Sequence, residues 1–217
     1  MPTEQNREVA VLVHGLYLSG WALALLAWRL RRRGFEVRIF SYASVRDGFQ
    51  QNSSHLADFL RAIDAPRVHL VAHSLGGLLA LSVLAVEPSL RRGRLVLLGT
   101  PSQGSRVASE LGRSKFGLRA LGKCMPEANF HAPFLAPRGV EVGIIAGTKA
   151  FGLGRLVTQL PAPNDGTVTV AETSLRGAAA VTRVAVTHTA LVVAASVADR
   201  AAEFLHQGRF NVARDRE

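Results

Sequence analysis

The sequence predicts an α/β fold in which a mainly parallel six-stranded sheet is covered by helices on both faces. Apolar runs of strand length alternate along the chain with segments of helical periodicity, which is the pattern of a parallel sheet buried on both sides. The 217 residues are 48% hydrophobic and 19% charged, a balance that differs from that of a disordered chain. Because no internal repeat or low-complexity linker divides the chain, we expect a single domain over residues 1–217.

The strands and helices follow one another in a regular order. Six strands are predicted from short apolar runs, at residues 9–13, 36–40, 68–72, 95–98, 140–146 and 183–186. Helices are predicted from apolar spacing and from stop signals such as Gly34 and Pro88, at residues 21–33, 53–63, 74–86 and 189–205.

Two intervals are too long to be simple connections between these elements. Residues 101–139 and 147–181 both leave the predicted sheet at the carboxyl ends of strands, where open α/β sheets bind ligands. The first interval mixes apolar and basic residues, which is consistent with a small amphipathic cap. We therefore expect the chemistry of the protein at this edge of the sheet.

The formal charge is +10, from 26 Lys and Arg against 16 Asp and Glu. The arginines are scattered, and no RNA-binding aromatic signature, zinc finger or basic zipper accompanies them, so we expect no nucleic-acid partner. The positive charge leaves open two roles, namely peripheral contact with an anionic membrane and binding of a negatively charged substrate. The single cysteine, Cys124, excludes a disulfide scaffold and a cysteine metal cluster, and we expect no metal and no cofactor.

The N-terminal residues indicate neither a signal peptide nor a membrane anchor. Residues 1–8 are polar and partly acidic, unlike the basic start of a signal peptide. Residues 9–30 are apolar, but His14, Gly15 and Arg29 interrupt them where a membrane span requires about 20 mainly apolar residues. A strand, a loop and a helix fit this segment better, and we expect a cytoplasmic protein.

A serine stands at the junction of the third predicted strand and the next helix. Strand 68–72 runs into His73-Ser74-Leu75-Gly76-Gly77, where a helix begins at once. Reversing the chain within two residues strains the central residue and projects its side chain above the sheet edge. The helix N-terminus beneath it supplies N–H groups suited to a developing negative charge. The pattern favours Ser74 as a nucleophile, with a serine that only caps the helix as the alternative.

These residues make the chain similar to the α/β-hydrolase family, and in particular to small bacterial serine lipases and esterases with an Ala-His-Ser-x-Gly elbow. Three further segments resemble this group, namely Val13-His14-Gly15-Leu16, Gly99-Thr100-Pro101-Ser102-Gln103-Gly104-Ser105 and Asn164-Asp165-Gly166-Thr167-Val168. The resemblance spans nearly the whole chain. Since nothing before Val9 could supply the two leading strands of the larger family, it implies a reduced α/β-hydrolase fold.

A serine hydroxyl needs a neighbouring base, and seven histidines compete for that role. His188 follows the last predicted strand and precedes the last helix, so we expect it at the carboxyl edge beside Ser74. His14 is expected to shape the turn after the first strand. His73 is expected to lie next to the serine with its side chain pointing elsewhere.

The family's chain order places an acid between the serine and the histidine. Asp165 lies in the polar turn after the fifth strand, where the resemblance implies that acid, and an ordinary Asp-Gly turn is the alternative. Its role would be to hold the tautomer of His188. The backbone N–H groups of Leu16 and Leu75 are expected to form the oxyanion hole.

The sequence therefore predicts a serine hydrolase that cleaves a small-molecule or lipid carboxylic ester through an acyl-enzyme. Leu16, Tyr17 and Phe151 belong to apolar loops near the centre and are predicted to contact the substrate. A thioesterase or acyltransferase with the same triad is one alternative. A non-catalytic basic module that binds lipid on the hydrolase fold is the other.

Overall fold

Six parallel strands form one sheet in the computed structural model, which describes residues 8–211. In chain order they are β1 (Glu8–Val13), β2 (Glu36–Phe40), β3 (Arg67–His73), β4 (Leu95–Leu98), β5 (Val142–Gly147) and β6 (Ala180–Val184). Their spatial order is β2-β1-β3-β4-β5-β6, and each neighbouring pair runs parallel. The segments that follow the strands therefore all leave from one edge of the sheet.

Eight α-helices flank these strands within residues 8–211. They are α1 (Ala24–Arg31), α2 (Phe49–Arg61), α3 (Leu75–Val86), α4 (Arg106–Leu111), α5 (Lys115–Leu121), α6 (Cys124–Phe130), α7 (Gly154–Val157) and α8 (Ala195–Gln207). Short 3₁₀ turns at Gly20–Leu23 and Thr189–Val192 precede α1 and α8. None of the helices in this described part is both long and apolar enough to cross a lipid bilayer.

The predicted fold class is confirmed, since helices cover both faces of a parallel sheet, but two elements begin at least three residues earlier than predicted. Helix α2 begins at Phe49 because the Glu127 carboxylate accepts the Phe49 N–H at 2.6 Å and satisfies a helix-terminal donor from outside the local sequence. Strand β6 begins at Ala180. As an edge strand it buries only alternate residues in part, so it lacks the continuous apolar run of the central strands.

Alternate residues of the central strands point into two separate cores. Val9, Val11 and Val13 of β1 pack with α2, α3 and α6 on one face of the sheet. Ala10 and Leu12 of the same strand pack with α1 and α8 on the other face. Because both faces are covered, every residue of β1 from Val9 to Val13 is apolar, and this is why the central strands form largely continuous hydrophobic runs in the sequence.

The segment predicted as a small cap, residues 101–139, folds into α4, α5 and α6. Cys124 and Ala128 of α6 have no exposed surface and belong to the core that α2 and α3 share. The Asn129 side-chain oxygen accepts the Ser105 N–H at 2.6 Å, which ties α6 to the start of α4. This side of the segment is therefore anchored in the core, and its role as a cap stays a prediction.

His69 lies within β3 with its ring fully buried. Its Nδ1 accepts the Arg94 N–H at 3.0 Å, so the proton of the neutral ring sits on Nε2. Burial disfavours the charged ring and lowers the pKa of His69 from 6.5 to about 4, although the Glu8 carboxylate acts in the opposite direction. The folded protein therefore holds this histidine neutral.

We predict that the protein loses stability as the pH falls from 7 to 5. A histidine in the unfolded chain has a pKa near 6.5 and binds a proton below that pH. In the folded protein the pKa of His69 is about 4, so His69 stays neutral over most of this range. Each such histidine lowers the free energy of unfolding by about 1.4 kcal/mol per pH unit in this window. Urea unfolding at pH 7, 6 and 5 measures the loss.

The variant His69→Asn should have a shallower pH dependence than the wild type. Its amide oxygen can take the place of Nδ1 as acceptor for the Arg94 N–H, and it has no proton to bind in this range. His55→Asn changes an exposed histidine of α2 and is the matched control. An unchanged pH dependence in His69→Asn would contradict the assignment.

Candidate active site

Ser74 occupies the one-residue turn between β3 and α3, with φ 53° and ψ −122°. Among the described residues other than glycine, only Ser74 and Tyr17 have a positive φ. Such a conformation costs about 1–3 kcal/mol and requires support from its surroundings. The Ser74 N–H donates to the Leu98 carbonyl oxygen of β4 at 2.9 Å, and the Ser74 carbonyl accepts the Gly77 N–H at 2.9 Å. The side chain makes no capping hydrogen bond to α3, which argues against the N-cap alternative.

The close approach of α3 to β1 explains the glycine two residues after the serine. A Cβ at Gly76 would lie 2.3 Å from the His14 carbonyl oxygen and 2.8 Å from the Val13 side chain. Contacts this short would push α3 away from the sheet, so only glycine allows the turn to be this tight. Local sequence thus permits the serine to project from the edge of the sheet.

Asp165 and His188 meet at the same edge of the sheet, from the segments that follow β5 and β6. Asp165 Oδ2 and His188 Nδ1 are 2.7 Å apart, and the aspartate is 1% exposed. The other carboxylate oxygen, Oδ1, accepts the N–H groups of Thr167 at 2.9 Å and Val168 at 2.7 Å. The His188 N–H in turn donates to the Asp165 carbonyl at 2.9 Å. The carboxylate is thus held from both sides, with one oxygen directed at the histidine.

Gly99, at the end of β4, packs directly under this pair. Its φ is +55°, and a Cβ there would lie 3.1 Å from both Asp165 Oδ2 and His188 Nδ1 and 2.6 Å from Leu191. A side chain at this position would therefore displace the aspartate or the histidine ring. This lack of space for a side chain explains why the Gly99-Thr100-Pro101 segment begins with glycine.

The ring of His73 corrects the sequence prediction that this side chain points elsewhere. It packs against His188 with the ring centroids 4.7 Å apart, and it lines the same cavity as Ser74. Its Nε2–H donates to the His188 carbonyl oxygen at 3.1 Å, which leaves the buried Nδ1 without a partner among the described residues. Burial lowers the pKa of His73 well below its usual value, and the nearby His188 adds to the effect. His73 is therefore a neutral support for the backbone and ring of His188.

His14 shapes the turn after β1, as the sequence suggests. Its Nε2 accepts the Tyr42 N–H at 3.2 Å, and its Nδ1–H donates to the Gly15 carbonyl oxygen at 2.9 Å. The Tyr42 ring stacks on it at a centroid distance of 4.4 Å. The following residues turn back through a Leu18 N–H to Gly15 carbonyl bond of 3.3 Å. This turn holds Leu16 opposite the serine.

The two N–H groups predicted to bind an oxyanion are available. Neither the Leu16 N–H nor the Leu75 N–H donates a hydrogen bond to any group within residues 8–211. Leu75 is the first residue of α3, where the helix dipole also favours negative charge. Leu16 and Ser74 line one cavity, and Leu75 directly follows the serine.

The cavity above Ser74 has a volume of about 390 Å³. Its polar lining includes His73, Ser74 and His188. Its other walls are mostly apolar and come from the loop after β1 and from helices α4 to α6, with Leu16, Tyr17, Val107, Leu111, Leu121 and Met125 among them. An apolar chain fits this lining, while a charged group would lose its hydration there.

One of the three predicted substrate contacts lies outside the cavity. Leu16 and Tyr17 line it, whereas Phe151 does not and is 73% exposed. Leu153 and Val157 provide the wall on this side instead. Leu153 directly precedes α7 and Val157 ends it, and their i, i+4 spacing, which puts both on one side of this helical turn, is the signal that could have identified them.

Comparisons with known proteins agree with this architecture. The model of the Alpha/beta hydrolase family matches residues 10–215, and no curated protein matches the chain. A lipase of Bacillus licheniformis in its propeptide form is 22% identical, with a TM-score of 0.67 over 86% of this chain. The match covers 47% of that lipase, so this chain spans about half of its length.

Two further solved structures are similar in fold. A metagenomic carboxyl esterase is 18% identical, with a TM-score of 0.68 over 90% of this chain and 75% of its own. A polyneuridine aldehyde esterase is 13% identical, with a TM-score of 0.64 over 93% of this chain and 100% of its own. These likenesses concern the fold, whereas the family model matches nearly the whole chain. The chain belongs to the alpha/beta hydrolase family.

Proposed function

We propose that this protein is a serine hydrolase that cleaves carboxylic esters through an acyl-enzyme. Ser74 is the nucleophile, His188 the general base and then the general acid, and Asp165 the residue that orients the histidine. The observation that carries the proposal is the 2.7 Å contact between Asp165 and His188 beside a strained serine in an apolar cavity. Esterases and a lipase among the proteins of similar fold support the choice of an ester.

The hydrogen bonds of Asp165 select the tautomer of His188 that catalysis needs. Two backbone N–H groups occupy Oδ1, so Oδ2 faces the imidazole and accepts its Nδ1–H. The lone pair of the neutral ring then lies on Nε2, which is the atom that can take the Ser74 hydroxyl proton. The carboxylate also stabilises the imidazolium that this transfer creates.

The reaction proceeds in two halves. As Ser74 Oγ forms a bond to the ester carbonyl carbon, its proton passes to His188 Nε2, and the carbonyl oxygen becomes an oxyanion held by the Leu16 and Leu75 N–H groups. His188 then protonates the leaving alkoxide and the ester C–O bond breaks. Water, deprotonated by His188, attacks the acyl-enzyme and releases the acid and free Ser74.

The lining of the cavity indicates that the acyl part of the ester is apolar. Its apolar walls would bury a hydrocarbon chain, at about 0.8 kcal/mol for each methylene removed from water. We therefore expect kcat/KM for aryl esters to rise with acyl length until the chain exceeds the cavity. Matched thioesters and alcohol acceptors, assayed beside the esters, separate hydrolysis of esters from thioesterase and acyltransferase activity.

We predict that Ser74→Ala lowers kcat for aryl esters by about 10⁶-fold, because removing the nucleophile of a triad costs about that much in other serine hydrolases. A fluorophosphonate probe should label the wild type at Ser74 and leave the variant unlabelled. Ser82→Ala, which makes the same change two turns along α3, is the matched control. A folded wild type that is neither labelled nor active would overturn the proposal.

We predict that Asp165→Asn lowers kcat by about 10⁴-fold with little change in fold. The Thr167 and Val168 N–H groups would hold the amide oxygen at the Oδ1 position, so the NH₂ group would face His188 Nδ1. That NH₂ donates, which forces the ring proton onto Nε2 and leaves no base for Ser74.

Steady-state kinetics with an aryl ester measure the effect, and circular dichroism checks the fold. The matched control is Asp199→Asn, which neutralises an exposed aspartate paired with Arg33. Equal kcat in Asp165→Asn and in the control would show that Asp165 does not orient the base.

A further inference from the structure

Exposed apolar side chains lie on the segments that line the cavity above Ser74. Tyr17 and Leu153 line the cavity and are nevertheless 64% and 80% exposed. Leu156 of α7 is 84% exposed, and Trp21, three residues after the cavity-lining Leu18, is 89% exposed. Single exposed apolar residues are ordinary, but a group of them around one opening marks a binding surface.

These residues lie on rigid parts of the molecule beside the triad. The Trp21 turn is tied to the end of β2, because the Gly20 N–H donates to Ser41 Oγ at 3.3 Å. The segment that carries Leu153 and Leu156 packs on the loop of Asp165, where a Cβ at Gly154 would lie 2.7 Å from the Gly166 carbonyl oxygen. The side chains therefore protrude from the same edge of the sheet as Ser74.

Unpaired cations accompany this apolar group. Residues 111–126 and 146–164 supply part of the cavity wall and contain no Asp or Glu. They carry six cations, namely Arg113, Lys115, Arg119, Lys123, Lys149 and Arg155. Arg113 pairs with Glu110, and the other five make no ion pair with any residue in the described part of the chain. We call these five cations, together with Tyr17, Trp21, Leu153 and Leu156, the mouth surface.

At the opposite edge of the sheet, three arginines pair with carboxylates. Arg67 at the start of β3 pairs with Glu8, and Arg94 before β4 pairs with Glu141. Arg61, at the end of α2, contacts both Asp58 and Glu87. Arg91 and Arg92 at the same edge donate to backbone carbonyl oxygens instead, so carboxylates neutralise only part of the charge there.

We propose that the mouth surface docks on an anionic lipid bilayer, so that the ester enters the cavity directly from the membrane. The apolar side chains would enter the boundary between headgroups and acyl chains, and the five cations would contact anionic headgroups. The absence of carboxylates from both segments suits a negatively charged partner, and the apolar cavity opens within the same surface. The choice of a membrane ester rests on the proposed function, whereas the docking does not require turnover.

Vesicle binding by Ser74→Ala tests the docking without any hydrolysis. We expect the protein to sediment with phosphatidylcholine vesicles that contain phosphatidylglycerol, and at least tenfold less with phosphatidylcholine alone. High salt should weaken the binding, because it screens the headgroup charge. In the Trp28→Phe background Trp21 is the only tryptophan, and its fluorescence should shift to the blue on binding. Equal binding to both kinds of vesicle, or none to either, would overturn the proposal.

Paired variants separate the mouth surface from general charge and hydrophobicity. Trp21→Ser with Leu156→Ser, and separately Lys149→Gln with Arg155→Gln, should each weaken vesicle binding at least tenfold. Turnover of a water-soluble short-chain ester should be unchanged, because these four side chains do not line the cavity.

Two controls remove similar groups from elsewhere on the protein. Val86→Ser changes a residue that is 75% exposed at the far end of α3. Arg67→Gln with Arg138→Gln removes two charges near the starts of β3 and β5. Equal losses in the controls and in the mouth variants would overturn the proposal.

The two proposals fail in distinguishable ways. Ester turnover without vesicle binding would overturn the docking and leave Ser74 as the nucleophile. Vesicle binding without turnover or labelling would support the docking and overturn the catalytic assignment.

Discussion

The positive φ of Ser74 is the constraint that the rest of the site satisfies. A residue with a side chain does not adopt this conformation unless its neighbours hold it there. The Leu98 carbonyl fixes its N–H from the adjacent strand, and the missing Cβ of Gly76 lets α3 start directly behind it. The consequence is a serine hydroxyl that stands above the sheet, next to the first free N–H of a helix. The N–H groups of Leu16 and Leu75, the cavity and His188, to which the proposed function gives the roles of oxyanion donors, binding site and base, lie around this turn.

Two buried side chains, Asp165 and His73, hold His188 in position. Asp165 uses one oxygen for backbone N–H groups and the other for the His188 ring, so its charge is held and directed at the same time. His73 supports the His188 carbonyl and packs on its ring, and its burial keeps it uncharged. A charged neighbour at that distance would oppose formation of the His188 imidazolium. A neutral histidine is therefore the form of His73 that is compatible with the proposed role of His188 as a base.

The local sequence pattern was sufficient to predict the turn at Ser74, because the strand, the turn and the helix that form it are consecutive in the sequence. Asp165 and His188 could be proposed from the chain order of a resembled family and from their places after predicted strands. The orientation of His73 could not, since it depends on a carbonyl more than a hundred positions away. The choice of Leu153 over Phe151 at the cavity wall depends on one turn of helix that packs against the Asp165 loop.

The amino-acid sequence by itself determined the order of strands and helices, the burial of the sheet on both faces and the serine turn. These follow from hydrophobic periodicity and turn chemistry, which act between residues close together in the chain. Only the tertiary structure decided which N–H groups hold Asp165, which apolar side chains face the cavity, and that five cations on segments of its wall form no ion pair within residues 8–211. Each of these depends on contacts between segments that are distant in the sequence. Those segments meet because β5 and β6 add to the same sheet as β3 and β4.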